Sequence, residues 1–156
     1  MKKLIVCCLI VLLGSCKDKG DGVDAETDFA PEFVGNYSTT TAFDTYSTNE
    51  DWTVERLDNN LLGITYKVAT KISKPFPVSR TDVYALKNVT IKDAATFIIS
   101  ENADLDRDGT KLRAKVEGTG VKLTEGGQTK IGITFKITDL ATNAVTTREY
   151  LEFKKK

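Results

Sequence analysis

Asp104, Asp106 and Asp108 stand on alternate residues ahead of Gly109, in the run Asp104-Leu105-Asp106-Arg107-Asp108-Gly109. Carboxylate oxygens at that spacing suit a hard cation such as calcium, and the glycine permits the sharp turn that a chelating loop needs. Calcium is the one cofactor the residues suggest, and a plain acidic turn is the competing reading. A twelve-residue calcium loop counted from Asp104 would end on Lys115, where a bidentate Glu is needed, and strand-like segments flank it. The chain has no histidine. That excludes the commonest general base, the Ser-His-Asp and Cys-His arrangements and the usual catalytic zinc sites. Carboxylates are plentiful, but no spacing marks an acid and base pair, so no catalytic residue is assigned and a non-enzymatic protein is expected.

Cysteine offers a second kind of chemistry. Lys2 and Lys3 precede an unbroken apolar run from Leu4 to Leu13, followed by Gly14, Ser15 and Cys16. Ten apolar residues are too few to span a bilayer, which takes roughly 20, so the segment reads as an export signal occupying residues 1–15. Leu13-Gly14-Ser15-Cys16 resembles the lipobox of bacterial lipoproteins. The resemblance implies a diacylglyceryl thioether on the Cys16 sulfur and acylation of its new amino group. Each buried methylene contributes about 0.8 kcal/mol, so two or more acyl chains anchor a protein stably. The expected location is the cell envelope, with the lipid on Cys16 holding the chain to the outer membrane. Cleavage before Cys16 also removes Cys7 and Cys8, leaving no pair of thiols for a disulfide.

Charge narrows the partners. The 22 basic and 22 acidic residues become 20 and 22 once Lys2 and Lys3 leave. A near-neutral chain with no concentrated basic face is not expected to bind nucleic acid. The basic run Lys154-Lys155-Lys156 reads as a solvated end, with anionic headgroups or sugars as its other reading. Residues 16–30 form the lipidated Cys16 and an acidic tether, rich in Asp and Gly and poor in large apolar side chains. Such a composition behaves as a flexible link with a reach of roughly 20 Å. Acidic residues soon after the lipidated cysteine resemble the export tags of surface-displayed lipoproteins in some Gram-negative bacteria, and periplasmic and surface-facing display both stay open.

From residue 31 to 156 the pattern is period-two alternation. Ile131, Ile133, Phe135 and Ile137 point one way and Gly132, Thr134, Lys136 and Thr138 the other, giving a strand with one buried face. Seven further candidates are residues 33–43, 52–57, 62–68, 81–91, 96–100, 112–117 and 145–153. Turn formers at Asp58-Asn59-Asn60, Lys92-Asp93-Ala94, Asp104 to Gly109, Glu125-Gly126-Gly127 and Thr142-Asn143 separate most of them. Gly118-Thr119-Gly120 shifts the parity between Val116 and Val121, which predicts a bulge or bend. Eight strands joined in order predict an all-β, antiparallel, up-and-down barrel, with a two-sheet β-sandwich as the alternative.

Gly35-Asn36-Tyr37, entering the first strand, resembles the Gly-x-Trp signature of the calycins, the lipocalin and avidin-type barrels, with Tyr in place of Trp. Arg148 in the last strand resembles the basic residue that packs across that aromatic. The resemblance implies a calycin-like barrel in which Gly35 lets the strand enter the floor and Arg148 caps the Tyr37 ring. A barrel of eight strands is either filled by its own side chains or holds one small ligand, and the bulky inward set favours a filled interior or a small apolar guest. The functional expectation is a binding lipoprotein whose ligand-binding residues are unknown. The alternative is an envelope interaction protein that presents loops to a protein or glycan. Phe76, between Pro75 and Pro77, is expected to pack over the barrel end, with exposure as its other reading.

Overall fold

The computed structural model describes residues 27–156; the signal, Cys16 and most of the acidic tether lie outside the described residues. Eight antiparallel strands, joined in order, close into a barrel, consistent with the calycin-like architecture expected and excluding the sandwich. They are β1 (Gly35–Ala42), β2 (Tyr46–Asp58), β3 (Leu61–Ile72), β4 (Val78–Ile91), β5 (Thr96–Arg107), β6 (Thr110–Glu125), β7 (Gln128–Asp139) and β8 (Val145–Lys155). Among the described residues one 3-10 turn, Ala30–Glu32, precedes them.

Alternation builds the interior. Trp52, Val54, Tyr66, Tyr84, Leu105 and Phe135 are buried, while their chain neighbours face water or lie half-buried, and Ile64 and Ile133 are buried beside the covered glycines Gly63 and Gly132. At one end the barrel is filled with aromatic rings. Trp52 stacks on Phe153 at 4.4 Å between centroids and meets Tyr66 edge-on at 5.8 Å, and Phe33 meets Phe97 edge-on at 5.6 Å. Phe33 is not the first residue of a strand, as the expected span 33–43 had it; it ends the 3-10 turn and plugs the floor from below.

Gly118 and Gly120 do not mark a bulge. The register of β6 with both β5 and β7 is continuous through them, so Val121 and Leu123 face outward as half-exposed apolar residues. The glycines make room instead. A Cβ on Gly120 would lie 2.1 Å from the Phe97 ring, and one on Gly118 would lie 2.6 Å from the Phe135 Cβ. Bulges occur elsewhere, and the one in β8 matters most. Ile133 pairs with Leu151 but Phe135 pairs with Arg148, so the extra residue brings Arg148 onto the same face as Leu151 and Phe153.

The connections sort the two ends of the barrel. The β2–β3, β4–β5 and β6–β7 turns lie at the filled floor, where the chain enters: Asn60 in the first of these turns accepts a hydrogen bond from the Phe29 N–H at 2.9 Å and donates one to the Thr27 carbonyl at 2.9 Å. The β1–β2, β3–β4, β5–β6 and β7–β8 connections rim the opposite end, the mouth.

Candidate functional site

At the mouth the inward positions change from aromatic to charged. Glu50 continues the buried face of Trp52 and Val54 on β2, Arg80 and Asp82 that of Tyr84 on β4, and Arg107 that of Leu105 on β5. With Asp139 at the end of β7 and Arg148 on β8, they surround the top of the barrel. A cavity of about 260 Å³ opens there, lined by Arg80, Asp82, Arg107, Asp139 and Arg148 above a floor of Val68, Tyr84, Leu105 and Ile137. A second hollow of about 310 Å³ lies beside it, between Phe43, Tyr46, Glu50, Arg148 and Tyr150, so Arg148 forms part of both walls.

The charged groups hold one another in place. Arg80 Nη2 and Arg107 Nε each lie 3.1 Å from the Asp82 carboxylate, and Arg107 Nη1 lies 3.6 Å from Asp139 Oδ2. Asp139 also accepts hydrogen bonds from the backbone N–H groups of Thr142 and Ala141, which keep its carboxyl below the usual carboxylate range. Glu50 is buried; it accepts the Tyr66 hydroxyl and, at 3.3 Å, the Thr48 hydroxyl. Arg148 Nη2 lies 3.9 Å from Glu50, while the Arg148 Nε is buried without a hydrogen-bond partner among the described residues. Ion pairs between buried carboxylates and part-exposed arginines contribute little net stability, because desolvation of the carboxylates and solvent screening offset their attraction, so stability alone does not account for the ring.

No family model, curated protein or solved structure matches this chain. The reading of the mouth therefore rests on its own geometry.

The motif residues fall elsewhere. Tyr37 is buried at the floor and donates its hydroxyl to the Phe33 carbonyl at 2.9 Å. The cation over its ring is Lys155 and not Arg148: the Lys155 ammonium sits 5.7 Å from the ring centroid and donates to the Val34 carbonyl at 2.8 Å. Lys155 is the residue paired directly with Tyr37 across the β1–β8 closure, whereas Arg148 lies near the mouth. Gly35 adopts φ of +146°, and a Cβ there would lie 2.6 Å from the Lys155 stem, so the glycine admits that lysine.

Asp104 and Asp106 lie on strand β5, and the turn after it is only the pair Asp108-Gly109, both with positive φ. Each carboxylate has a partner in the hairpin or beside it. Asp106 binds Lys111 at 2.6 Å and the Gly109 N–H at 2.7 Å, Asp108 accepts the Thr81 N–H at 2.8 Å, and Asp104 faces Arg113 at 3.9 Å. The three do not come together as a metal-ligating group, and none is found among the described residues. Leu105 and Arg107, the residues between them, face inward, and Arg107 belongs to the mouth.

Tyr37, Tyr66 and Tyr84 share a pH consequence. Burial pushes the Tyr37 hydroxyl up to about 12, burial and then the Glu50 charge push Tyr66 well above the ordinary phenol value, and burial and then Asp82 raise Tyr84. In the unfolded chain these groups ionise near pH 10. The stability they confer is complete below that value, and it is lost as pH rises from about 10 through their higher folded values. Denaturant melts at pH 9, 10 and 11 are expected to show unchanged stability to pH 9 and a progressive fall above 10, with the buried phenolates appearing in the 295 nm absorbance only as the domain unfolds. Ionisation of all five tyrosines near pH 10 in the folded protein would contradict the burial of these three.

Proposed function

We propose that this protein is a lipoprotein of the cell envelope, anchored to the outer membrane through Cys16, with a non-enzymatic binding role, and that its ligand is a small polar molecule held at the mouth. The observation that carries the reading is the cavity of about 260 Å³ ringed by charged side chains, set above an interior already filled by its own aromatic rings. The free volume lies at the charged end, so in this proposal a small polar ligand takes the place of the apolar guest that the bulky inward residues suggested. Thr27 and Phe29 lie at the floor, bonded to Asn60, at the end opposite the mouth.

Native mass spectrometry of the protein purified from its own cells tests this. The expected result is a single co-purifying small molecule, lost when Thr146, whose side chain lines the cavity, is replaced by tryptophan. A wild-type protein with no bound molecule, or a Thr146→Trp protein that keeps it, would contradict the proposal.

Another feature of the same end favours a second reading. Phe76 is 78% exposed on the β3–β4 connection, and Phe43 stacks on Tyr46 at 4.6 Å at the β1–β2 turn, also largely in water. Exposed aromatics on one rim support an interaction role in which the loops meet an envelope protein or glycan. A photoreactive group at position 76 is expected to capture one partner in cells on that reading, and no specific product on the first.

A further inference from the structure

The charges of the mouth match in number but not in what they present. Arg80, Arg107 and Arg148 come from three different strands, and Glu50, Asp82 and Asp139 equal them in count. Exposure separates the two sets. The Glu50, Asp82 and Asp139 side chains are 1%, 6% and 15% exposed, against 30%, 33% and 49% for Arg148, Arg107 and Arg80. The carboxylates sit behind, their oxygens engaged by Tyr66, Thr48, two arginines and two backbone N–H groups. A molecule entering the cavity meets guanidinium groups first.

Donors also remain. A guanidinium has five N–H bonds; Arg107 directs Nε and Nη1 at carboxylates and Arg80 directs Nη2, which leaves N–H groups on each free to bond something else. Arg148 faces its nearest carboxylate only at 3.9 Å. Planar forks of this kind match the oxygens of a carboxylate, sulfate or phosphate. Pockets for small molecules run from about 300 Å³ upward, so this cavity suits a ligand no larger than about one sugar ring.

Resting on the mouth as the binding site, we propose that the group recognised there is an oxyanion, a carboxylate or a sulfate or phosphate ester on a sugar-sized ligand. Arg80, Arg107 and Arg148 donate to it. Asp82 and Asp139 act as positioning residues that hold the Arg80 and Arg107 guanidinium planes from behind, and Glu50 places a buried charge beside Arg148.

Titration calorimetry of the full chain at low salt, with D-glucuronate, D-glucose, D-glucosamine and inorganic phosphate as probes, tests this. Glucuronate or phosphate is expected to bind at least tenfold more tightly than glucose or glucosamine, and the preference between those two assigns the carboxylate or the phosphate source. Added sodium chloride is expected to weaken that binding. Arg80→Gln, on a half-exposed side chain, is expected to lower the affinity at least tenfold with the melting temperature held. Arg148→Lys, which keeps the charge but removes the fork, is expected to do likewise. Equal binding of glucose, or unchanged affinity in both variants, would end the oxyanion assignment while leaving the mouth as the site, provided that Thr146→Trp abolishes what binds. Binding of none of the four probes, or binding untouched by Thr146→Trp, would count against both.

Discussion

Replacing Trp52 by alanine is expected to remove roughly 3–5 kcal/mol of stability, the usual loss for truncating a buried aromatic. For a domain of this size that lowers the melting temperature by about 15 °C. Trp52 lies against Tyr66, Phe97, Phe135 and Phe153, four rings that cannot close the space it leaves. Trp52→Phe is the informative companion. The indole N–H is buried with no partner among the described residues. Phenylalanine keeps most of the ring and removes that unsatisfied donor, so the two effects oppose each other and a net change under about 1.5 kcal/mol is expected. Scanning calorimetry of both variants checks the pair. Equal losses would mean that the indole nitrogen is satisfied, or that the ring stack is not what holds the floor.

The second large effect concerns the anchor. Cys16→Ala is expected to abolish incorporation of labelled palmitate completely, while the melting temperature of the barrel stays that of the wild type. The reason is a division of labour: acyl chains contribute membrane affinity by their own burial, at about 0.8 kcal/mol per methylene, and among the described residues the core of the barrel begins at Ala30 and Phe33. Palmitate label in Cys16→Ala equal to that of the wild type would contradict the proposed lipidation.

The barrel was legible because its code is short-range. Strict alternation, as in Ile131, Ile133, Phe135 and Ile137, sets a strand and its buried face without reference to the rest of the chain, and turn formers separate most of the strands. What depended on a distant partner was not legible. Gly118 and Gly120 read as a bulge because the rings that need their space, Phe135 and Phe97, lie on neighbouring strands. Lys155 caps Tyr37 because the β1–β8 closure pairs them, a register no local pattern states. The Asp104–Asp108 run looked like a loop because alternating acids on the outer face of a strand carry the same spacing as a chelating turn.

The mouth was missed for a related reason. Glu50 falls two residues before Trp52, Asp82 two before Tyr84 and Arg107 two after Leu105, so each continues an inward face that the sequence already marks. Following the apolar positions alone ends that face one step too early. A charged residue in phase with a buried run, at the strand end that forms the rim, was the signal available. Arg148 carried no such signal, since only the β8 bulge brings it into phase with Leu151 and Phe153.

The central claim is that ligands bind at the charged mouth and not in the aromatic floor. Methyl-labelled protein titrated with the small-molecule extract of its own cells tests it most directly by NMR. The account predicts shift changes at Val68, Leu105 and Ile137, which line the cavity, with Ile64, Ile99 and Ile131 unmoved. Changes centred on Ile64, Ile99 and Ile131, or on the outward Val121 and Leu123, would contradict it.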